Sequence, residues 1–206
     1  MLDIDAKTLD MLLSHIRQRS SVFFSAEGLD ITFETGMIEV EDSCLVLENR
    51  VKPEYINAVC SATQFLLQCR MIRFGSASIK TDGEHILFPL SQKSIIEETR
   101  TTERFPFTAE ERVICEILNP FDGETKLSKS VMDMSATGLS IRTSYDSKLF
   151  QPGTLFKSMR VLIDGEPYSQ NPGRVVYGRK LLDLKGKLRL QVGIKFEPAA
   201  PKGSEH

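Results

Sequence analysis

The sequence has few residues that metal chemistry and nucleophilic catalysis commonly use. Its 206 residues include only three histidines and four cysteines. The cysteines are far apart and form no CxxC pair, which favours free thiols over zinc ligands or disulfides. No histidine lies near a cysteine or a second histidine, and no glycine-rich phosphate loop of the GxGxxG or GxxxxGK[ST] type is present. These absences predict that the protein is not an enzyme and has no metal ion and no cofactor.

Long hydrophobic runs are also absent. Apolar runs such as Val113-Ile114-Cys115 span only a few residues, whereas a membrane-spanning helix needs about 20 apolar residues. The first five residues, 1–5, are acidic and contain no apolar segment of the kind that secretory signals carry. Together with the unpaired cysteines, this pattern predicts a cytoplasmic protein without membrane insertion.

The charge of the chain is nearly balanced, with 26 lysines and arginines against 28 aspartates and glutamates. A protein that binds nucleic acid nonspecifically is usually basic, so we expect no nucleic-acid partner. The two halves differ in sign. Residues 1–95 contain 9 basic against 13 acidic side chains, and residues 96–206 contain 17 against 15. The second half is therefore the better candidate for binding a compact anion.

The first half reads as one helix followed by strands. Apolar residues recur at helical spacing from Leu9 to Ile16, and the period then changes to two. Turn signals stand at Glu27-Gly28, Thr35-Gly36 and Asp82-Gly83. A helical turn is expected from Pro53. The predicted strands cover residues 22–24, 29–33, 37–41, 44–48, 64–74, 76–80 and 85–88.

The second half reads as six strands after a polar connector. Residues 91–104 are charged and almost free of core-type side chains, which is typical of a segment between domains. The predicted strands cover residues 112–118, 125–134, 139–143, 154–163, 174–182 and 188–196. Six strands in about ninety residues without a long helix favour a closed barrel or a sandwich. The residues from Pro198 onward are expected to form a frayed tail.

Two short patterns carry chemistry. The first is Arg100-Thr101-Thr102-Glu103-Arg104, which is followed by Phe105-Pro106-Phe107, and the second is Asp133-Met134-Ser135-Ala136-Thr137-Gly138. Guanidinium groups bind phosphate with two hydrogen bonds and also match the O6/N7 edge of guanine. A carboxylate at the end of a strand accepts from guanine N–H groups, which arginine cannot do.

In this interpretation Arg100 and Arg104 supply donors, Asp133 supplies acceptors and Ser135 donates to a phosphate or fixes a turn. Gly138 is expected to permit the backbone angle that reverses the strand beneath a ligand.

Each pattern also has a purely structural interpretation. Glu97, Glu98 and Glu103 lie among the arginines, and their ion pairs with Arg100 and Arg104 would form a solvated helix end. The segment from Asp133 to Gly138 equally fits an Asx-type turn between two strands. The order of the patterns favours the functional interpretation, because the arginines precede the six-stranded region and the second pattern follows its second strand.

Residues 95–198 resemble the PilZ family. The signature of that family is RxxxR followed some thirty residues later by [D/N]xSxxG on a six-stranded barrel, and both parts are present here. Phe105-Pro106 and the closing strand Val192-Gly193-Ile194-Lys195-Phe196 also look like the family pattern. Residues 1–94, with the strand around Leu87-Phe88-Pro89-Leu90, look like the N-terminal domain of flagellar-brake PilZ proteins.

The resemblance implies a mainly β protein of two small β-barrel domains in tandem. Residues 1–94 would form the flagellar-brake-like barrel with its leading helix, and residues 95–198 the PilZ barrel, with the RxxxR connector at residues 95–107. Residues 199–206 would form the tail.

The resemblance further implies a receptor for the bacterial second messenger cyclic di-GMP. Arg100 and Arg104 would clamp phosphates and guanines, Asp133 and Ser135 would contact a guanine and its neighbouring phosphate, and Gly138 would shape the turn. Ligand capture would then change the arrangement of the domains and relay the signal to a protein partner. That partner would belong to the flagellar motor or to another envelope machine.

Two alternatives remain open at this level. A degenerate PilZ adaptor would bind only protein, and the acidic neighbours Glu97, Glu98 and Glu103 favour it because they lower the local positive potential. An enzyme is the weaker alternative, since no nucleophile and base can be assembled from the sequence. The sequence is equally compatible with one bound ligand or a stacked pair of ligands. It is also compatible with a monomer or a dimer.

Overall fold

The structure is a computed structural model that describes residues 4–41, 43–69, 72–96, 102, 104–107 and 111–198. The protein is mainly β, as predicted. It divides into two compact units. The first contains the described residues up to 96 together with Lys180–Arg189, and the second contains those from 102 to 179 and from 190 onward. Within the described residues, no helix is long and apolar enough to cross a membrane.

The first unit combines two helices with strands in two linked sheets. Its elements are α1 (Ala6–Arg17), β1 (Ser21–Ala26), β2 (Ile31–Glu41), β3 (Cys44–Glu48), α2 (Pro53–Ser61), β4 (Phe65–Cys69), β5 (Ile72–Ser76), β6 (Lys80–Thr81), β7 (His85–Pro89) and β8 (Ile95–Ile96). In one sheet the strands pair in the order β2-β1-β4-β5-β8. In the other, the C-terminal part of β2 pairs with β3, β3 pairs with β7, and β7 pairs with β6. Lys180–Leu182 adds a parallel strand beside Ile31–Phe33.

Helix α1 begins where the sequence provides a cap. The carboxylate of Asp5 accepts hydrogen bonds from the backbone N–H and the hydroxyl of Thr8, both at 2.8 Å. Such a cap satisfies a donor that the first helical turn leaves unpaired. Leu12, on the apolar side of the helix, is fully buried in the core of the first unit.

Two predicted boundaries in the first unit are wrong. Thr35-Gly36 is not a turn, because β2 runs through it without interruption. Strand β2 changes partner there: Gly36 still pairs with Ser21 of β1, and Met37 already pairs with Leu47 of β3. The glycine marks a close approach, since an added Cβ would lie 3.1 Å from the carboxyl carbon of Glu48.

The predicted strand over residues 64–74 is also wrong. Strands β4 and β5 form a hairpin in which Cys69 pairs with Ile72. The sequence pattern shows one strand because no glycine, proline, asparagine or aspartate marks the reversal. Where a strand over residues 76–80 was predicted, the structure has only the two-residue strand β6. The predicted helical turn at Pro53 is the start of α2, a helix of nine residues.

The second unit contains a closed ring of six strands. Its elements are β9 (Phe105–Pro106), β10 (Val113–Leu118), β11 (Lys126–Ser135), β12 (Gly138–Ser144), β13 (Leu155–Ile163), β14 (Glu166–Leu182) and β15 (Leu188–Phe196). The ring runs β10-β11-β12-β15-β14-β13 and closes where β13 pairs with β10. Five of the six predicted strands match to within about two residues. The sixth, β14, begins eight residues earlier than predicted.

Each unit has its own apolar core. In the second unit, alternate residues of the ring strands, such as Leu139 with Ile141 and Val192 with Ile194, pack into one buried cluster. The four cysteines are free, as predicted. Burial raises the pKa of the Cys115 thiol to about 12, so this cysteine is a core residue and not a nucleophile.

Neighbouring leucines on β4 provide a test of the first core. Leu67 is fully buried and Leu66 is 47% exposed. We expect Leu67→Ala to lower the free energy of unfolding by about 2–5 kcal/mol, because it removes methyl groups and leaves a cavity. The matched Leu66→Ala should change it by less than about 0.5 kcal/mol. Urea denaturation of both variants checks the expectation, and equal losses would contradict the assigned faces of β4.

Candidate ligand-binding site

A short strand joins the connector to the ring. Strand β9 pairs antiparallel with β11, placing Phe105 opposite Met134 and Pro106 opposite Asp133. The backbone N–H of Phe107 also donates to the carbonyl of Met132 at 2.9 Å. The pairing occurs next to an irregularity of β11 between Val131 and Asp133, and bulges of this kind redirect side chains at sheet edges. As a result, Arg104 lies beside Asp133.

Arg104 and Asp133 form an ion pair. Nη1 of Arg104 donates to Oδ1 of Asp133 at 2.7 Å, and the two side chains are 26% and 16% exposed. Burial acts to lower the pKa of Arg104, but the Asp133 carboxylate and the Tyr177 side chain raise it by more, so the pKa lies above its ordinary value. The guanidinium is a permanent cation that remains partly accessible.

A second hydrogen bond holds the same carboxylate from the interior. Ser140 lies directly opposite Asp133 in the β11–β12 pair, and residues in that relation project to the same face. The Ser140 hydroxyl donates to Oδ2 of Asp133 at 2.6 Å. The Gln191 amide reaches the Ser140 oxygen at 3.5 Å, which is the long limit for a hydrogen bond. Asp133 is therefore fixed at both oxygens.

Tyr177 approaches the guanidinium from β14. Its side chain is one of the causes that raise the pKa of Arg104. Its ring covers Gly193, where an added Cβ would lie 2.0 Å from Cε1 of the ring. Only glycine leaves room for the ring at this position of β15.

Three hydroxyl groups surround the turn between β11 and β12. The Ser135 hydroxyl accepts from the Thr137 backbone N–H at 3.3 Å and lies 3.4 Å from the Gly138 carbonyl. The Thr137 hydroxyl lies 3.3 Å from that of Ser135 and 3.2 Å from that of Thr102 in the connector. Ser135 does fix the turn, and its contacts are all longer than the usual hydroxyl hydrogen bond.

The structural reason for a glycine at position 138 differs from the predicted one. Its φ is not in the left-handed region, so the turn does not require glycine for its backbone angle. The constraint is the neighbouring strand: an added Cβ would lie 2.3 Å from the carbonyl oxygen of Ile194. Gly138 thus allows β12 and β15 to approach closely below the turn.

Four of the five predicted site residues lie on one edge of the second unit. These are Arg104, Asp133, Ser135 and Gly138. Arg100 and its acidic neighbours Glu97, Glu98 and Glu103 lie outside the described residues. Among the described residues, Arg104 forms an ion pair with Asp133. The alternative pairs with these glutamates therefore stay a prediction.

The sequence reasoning missed Ser140, Tyr177 and Gln191. Ser140 could have been identified from the sequence, because a tight turn from Ser135 to Gly138 places residue 140 opposite residue 133. Nothing in the local pattern distinguishes Tyr177 or Gln191 from other strand residues. Among the residues that the structure describes, no cluster of histidine, cysteine and carboxylate side chains fits a metal ion.

Comparison with solved structures supports a PilZ-like fold for the six-stranded ring, which Arg104 reaches directly before β9. MrkH of K. pneumonia, solved as a complex with c-di-GMP, is similar with a TM-score of 0.61 and 15% identity, over 95% of this chain and 87% of MrkH. A second MrkH structure, described as a c-di-GMP-dependent transcription regulatory factor, has a TM-score of 0.53 and 15% identity, with 95% and 84% covered.

YcgR of Escherichia coli in complex with c-di-GMP has a TM-score of 0.49 and 12% identity, with 94% and 82% covered. MrkH is a PilZ-domain protein, so its similarity to this chain confirms the predicted PilZ resemblance for the fold. No family model matches the sequence. No curated protein matches it either.

Two glycines of the second unit test the close approach at the site. We expect Gly138→Ala to lower the free energy of unfolding by about 1–3 kcal/mol, because its Cβ would collide with rigid backbone and force the strands apart. Gly178→Ala is the matched control, since its Cβ would lie 3.4 Å from the flexible end of Leu190. Thermal and urea unfolding measure both. A Gly138→Ala protein as stable as the control would refute the contact with β15.

Proposed function

We propose that the protein is a receptor for cyclic di-GMP. The observation that supports this most directly is the meeting of Arg104 with Asp133 beside the Ser135–Gly138 turn, because it joins the two halves of the RxxxR and DxSxxG pattern across 29 positions of sequence. Since the ligand contains guanine bases and phosphates, it needs both kinds of group that this edge of the ring offers.

Asp133 is suited to the guanine base. A carboxylate has about four acceptor positions, and Arg104 and Ser140 occupy one on each oxygen. The remaining positions match the two adjacent N–H donors on the guanine edge. With Asp133 held from the interior, its free lone pairs point in fixed directions before the ligand binds.

Arg104 and Ser135 are suited to phosphate. The guanidinium uses one terminal nitrogen for Asp133, and its other donors remain available for a phosphate oxygen or for O6 and N7 of guanine. The Ser135 hydroxyl donates to the Gly138 carbonyl at 3.4 Å, and from this long contact its proton can turn toward an anion. In the proposed site Arg100 supplies the second guanidinium, and Gly138 lets β15 approach closely below the turn.

Signal output would depend on the connector. Residues 95–107 lead into the ring, so a ligand that binds them can favour one arrangement of the two units over another, in proportion to its differential affinity. We propose that this change is read by a protein partner in the cytoplasm, with motility, secretion or polysaccharide synthesis as the output. Residues 1–94 would serve as a flagellar-brake-like domain.

The adaptor hypothesis keeps one specific observation in its favour. Arg104 has a carboxylate partner within the protein, Asp133, at 2.7 Å. If that pair serves only to attach β9 to the ring, the protein would bind a protein partner without a nucleotide. The two hypotheses differ in a single measurement, which is the heat of mixing with cyclic di-GMP.

Arg104 is the residue to change first. We expect wild-type protein to bind cyclic di-GMP in isothermal titration calorimetry. Arg104→Ala should weaken binding at least about tenfold, because a charge-assisted hydrogen bond contributes about 1.5–3 kcal/mol. Arg104→Lys should not restore the affinity, since an ammonium lacks the planar pair of donors.

Arg174 provides the matched control for that experiment. It is another arginine of the second unit with a carboxylate partner, Glu197 at 2.8 Å. Arg174→Ala should leave the affinity within about twofold, since an exposed surface ion pair contributes little. Absence of heat with folded wild-type protein would favour the adaptor hypothesis, and equal losses in both variants would indicate nonspecific attraction of an anion.

Base selectivity tests the role of Asp133. Adenine has neither the O6 acceptor nor the N1–H and N2–H donors of guanine, so we expect cyclic di-AMP to give no measurable heat at the concentration that saturates with cyclic di-GMP. Asp133→Ala should reduce the ratio of the two affinities. Equal affinities in the wild-type protein would show that only the phosphates are bound.

A further inference from the structure

Ser140 is the most deeply buried polar group next to the candidate site. Its residue has no exposed surface, whereas the side chains of Asp133 and Arg104 are 16% and 26% exposed. The three groups form a hydrogen-bonded series that runs from the interior to the surface. A group without exposed surface cannot touch a ligand, so any effect of Ser140 on binding must pass through Asp133.

The direction of the hydrogen bonds in this series is defined. A hydroxyl has one proton and two acceptor positions. The Gln191 amide donates toward the Ser140 oxygen, and the Ser140 proton is directed at Oδ2 of Asp133 at 2.6 Å. A short hydrogen bond to an ionised acceptor is among the stronger ones that proteins make. The carboxylate is therefore held in one orientation, with Oδ1 directed at Arg104.

An oriented carboxylate restricts the arginine. The Arg104 side chain is long and has many rotamers, and a ligand that bound a freely moving guanidinium would have to overcome the loss of that freedom. The hydrogen bond to Asp133 holds the guanidinium in one place beforehand. Pre-organisation of this kind increases affinity without adding any contact to the ligand.

We infer that Ser140 is a positioning residue of the binding site, which orients Asp133 and through it fixes Arg104 for the anionic ligand. The inference rests on the proposed function for the identity of that ligand. The hydrogen-bonded series itself is a property of the protein without ligand, and it can be measured separately.

Ser140→Ala tests the inference with two readouts. The first is ¹⁵N relaxation of the arginine side chains in the ligand-free protein, and we expect the order parameter of the Arg104 Nε–H to fall. The order parameter of Arg174, which pairs with Glu197, should stay unchanged. The second readout is calorimetry with cyclic di-GMP, where we expect an affinity loss of about tenfold to a hundredfold, the range for a lost hydrogen bond to a charged group.

Thr143→Val is the matched control. Thr143 lies on the same strand and is 4% exposed, and within the described part of the chain its hydroxyl has no hydrogen-bond partner. Its removal should leave both the Arg104 order parameter and the affinity unchanged. Unfolding curves of the two variants establish that both remain folded.

The outcomes separate this inference from the proposed function. An unchanged Arg104 order parameter in Ser140→Ala, or an equal loss of order at Arg104 and Arg174, overturns the positioning role. If Arg104 becomes more mobile in Ser140→Ala and the affinity is unaltered, the result overturns the inference that the ordering of Arg104 contributes to binding. If the wild-type protein does not bind cyclic di-GMP, the proposed function fails, and the relaxation data alone then decide whether Ser140 orders Arg104.

Discussion

The pairing of β9 with β11 is the contact on which the candidate site depends. Only two residues of β9 take part, yet they bring Arg104 to a carboxylate 29 positions further along the chain. The pairing is possible because β10 pairs with β11 only up to Ser130 and leaves the last residues of β11 open on that edge. The ion pair between Arg104 and Asp133 then attaches the end of the connector to the ring. The connector and the ring thus meet at the residues that we propose bind the ligand.

The ring has an apolar face and a polar face, and the site uses the polar one. Alternate residues of its strands fill the core, and the residues between them carry the series from Gln191 through Ser140 to Asp133. At Gly138 and Gly193 the property that matters is the absence of a Cβ atom. One admits the backbone of β15, and the other admits the ring of Tyr177. In neither position does glycine serve a left-handed backbone conformation.

Local patterns predicted most of the elements but not all of their connections. The six strands of the second unit follow from period-two alternation and from clear turn signals such as Asp164-Gly165. In the first unit the same reasoning placed a turn at Gly36, where β2 instead continues and changes partner, and it missed the reversal between Cys69 and Ile72. A glycine in a strand signals either a turn or a close neighbour, and only the neighbouring strands distinguish the two. The sequence pattern also did not indicate that Lys180–Arg189 belongs to the first unit.

The sequence by itself determined the class of fold, the RxxxR and DxSxxG residues and their order along the chain. It could do so because alternation of apolar residues and the chemistry of guanidinium and carboxylate groups are local properties. Tertiary structure alone decided that Arg104 pairs with Asp133, that Ser140 supports the carboxylate, and that Tyr177 lies near the guanidinium. Those contacts depend on strand register and on which backbones approach within a few ångströms. Both are set by how distant segments pack, which no short stretch of sequence encodes.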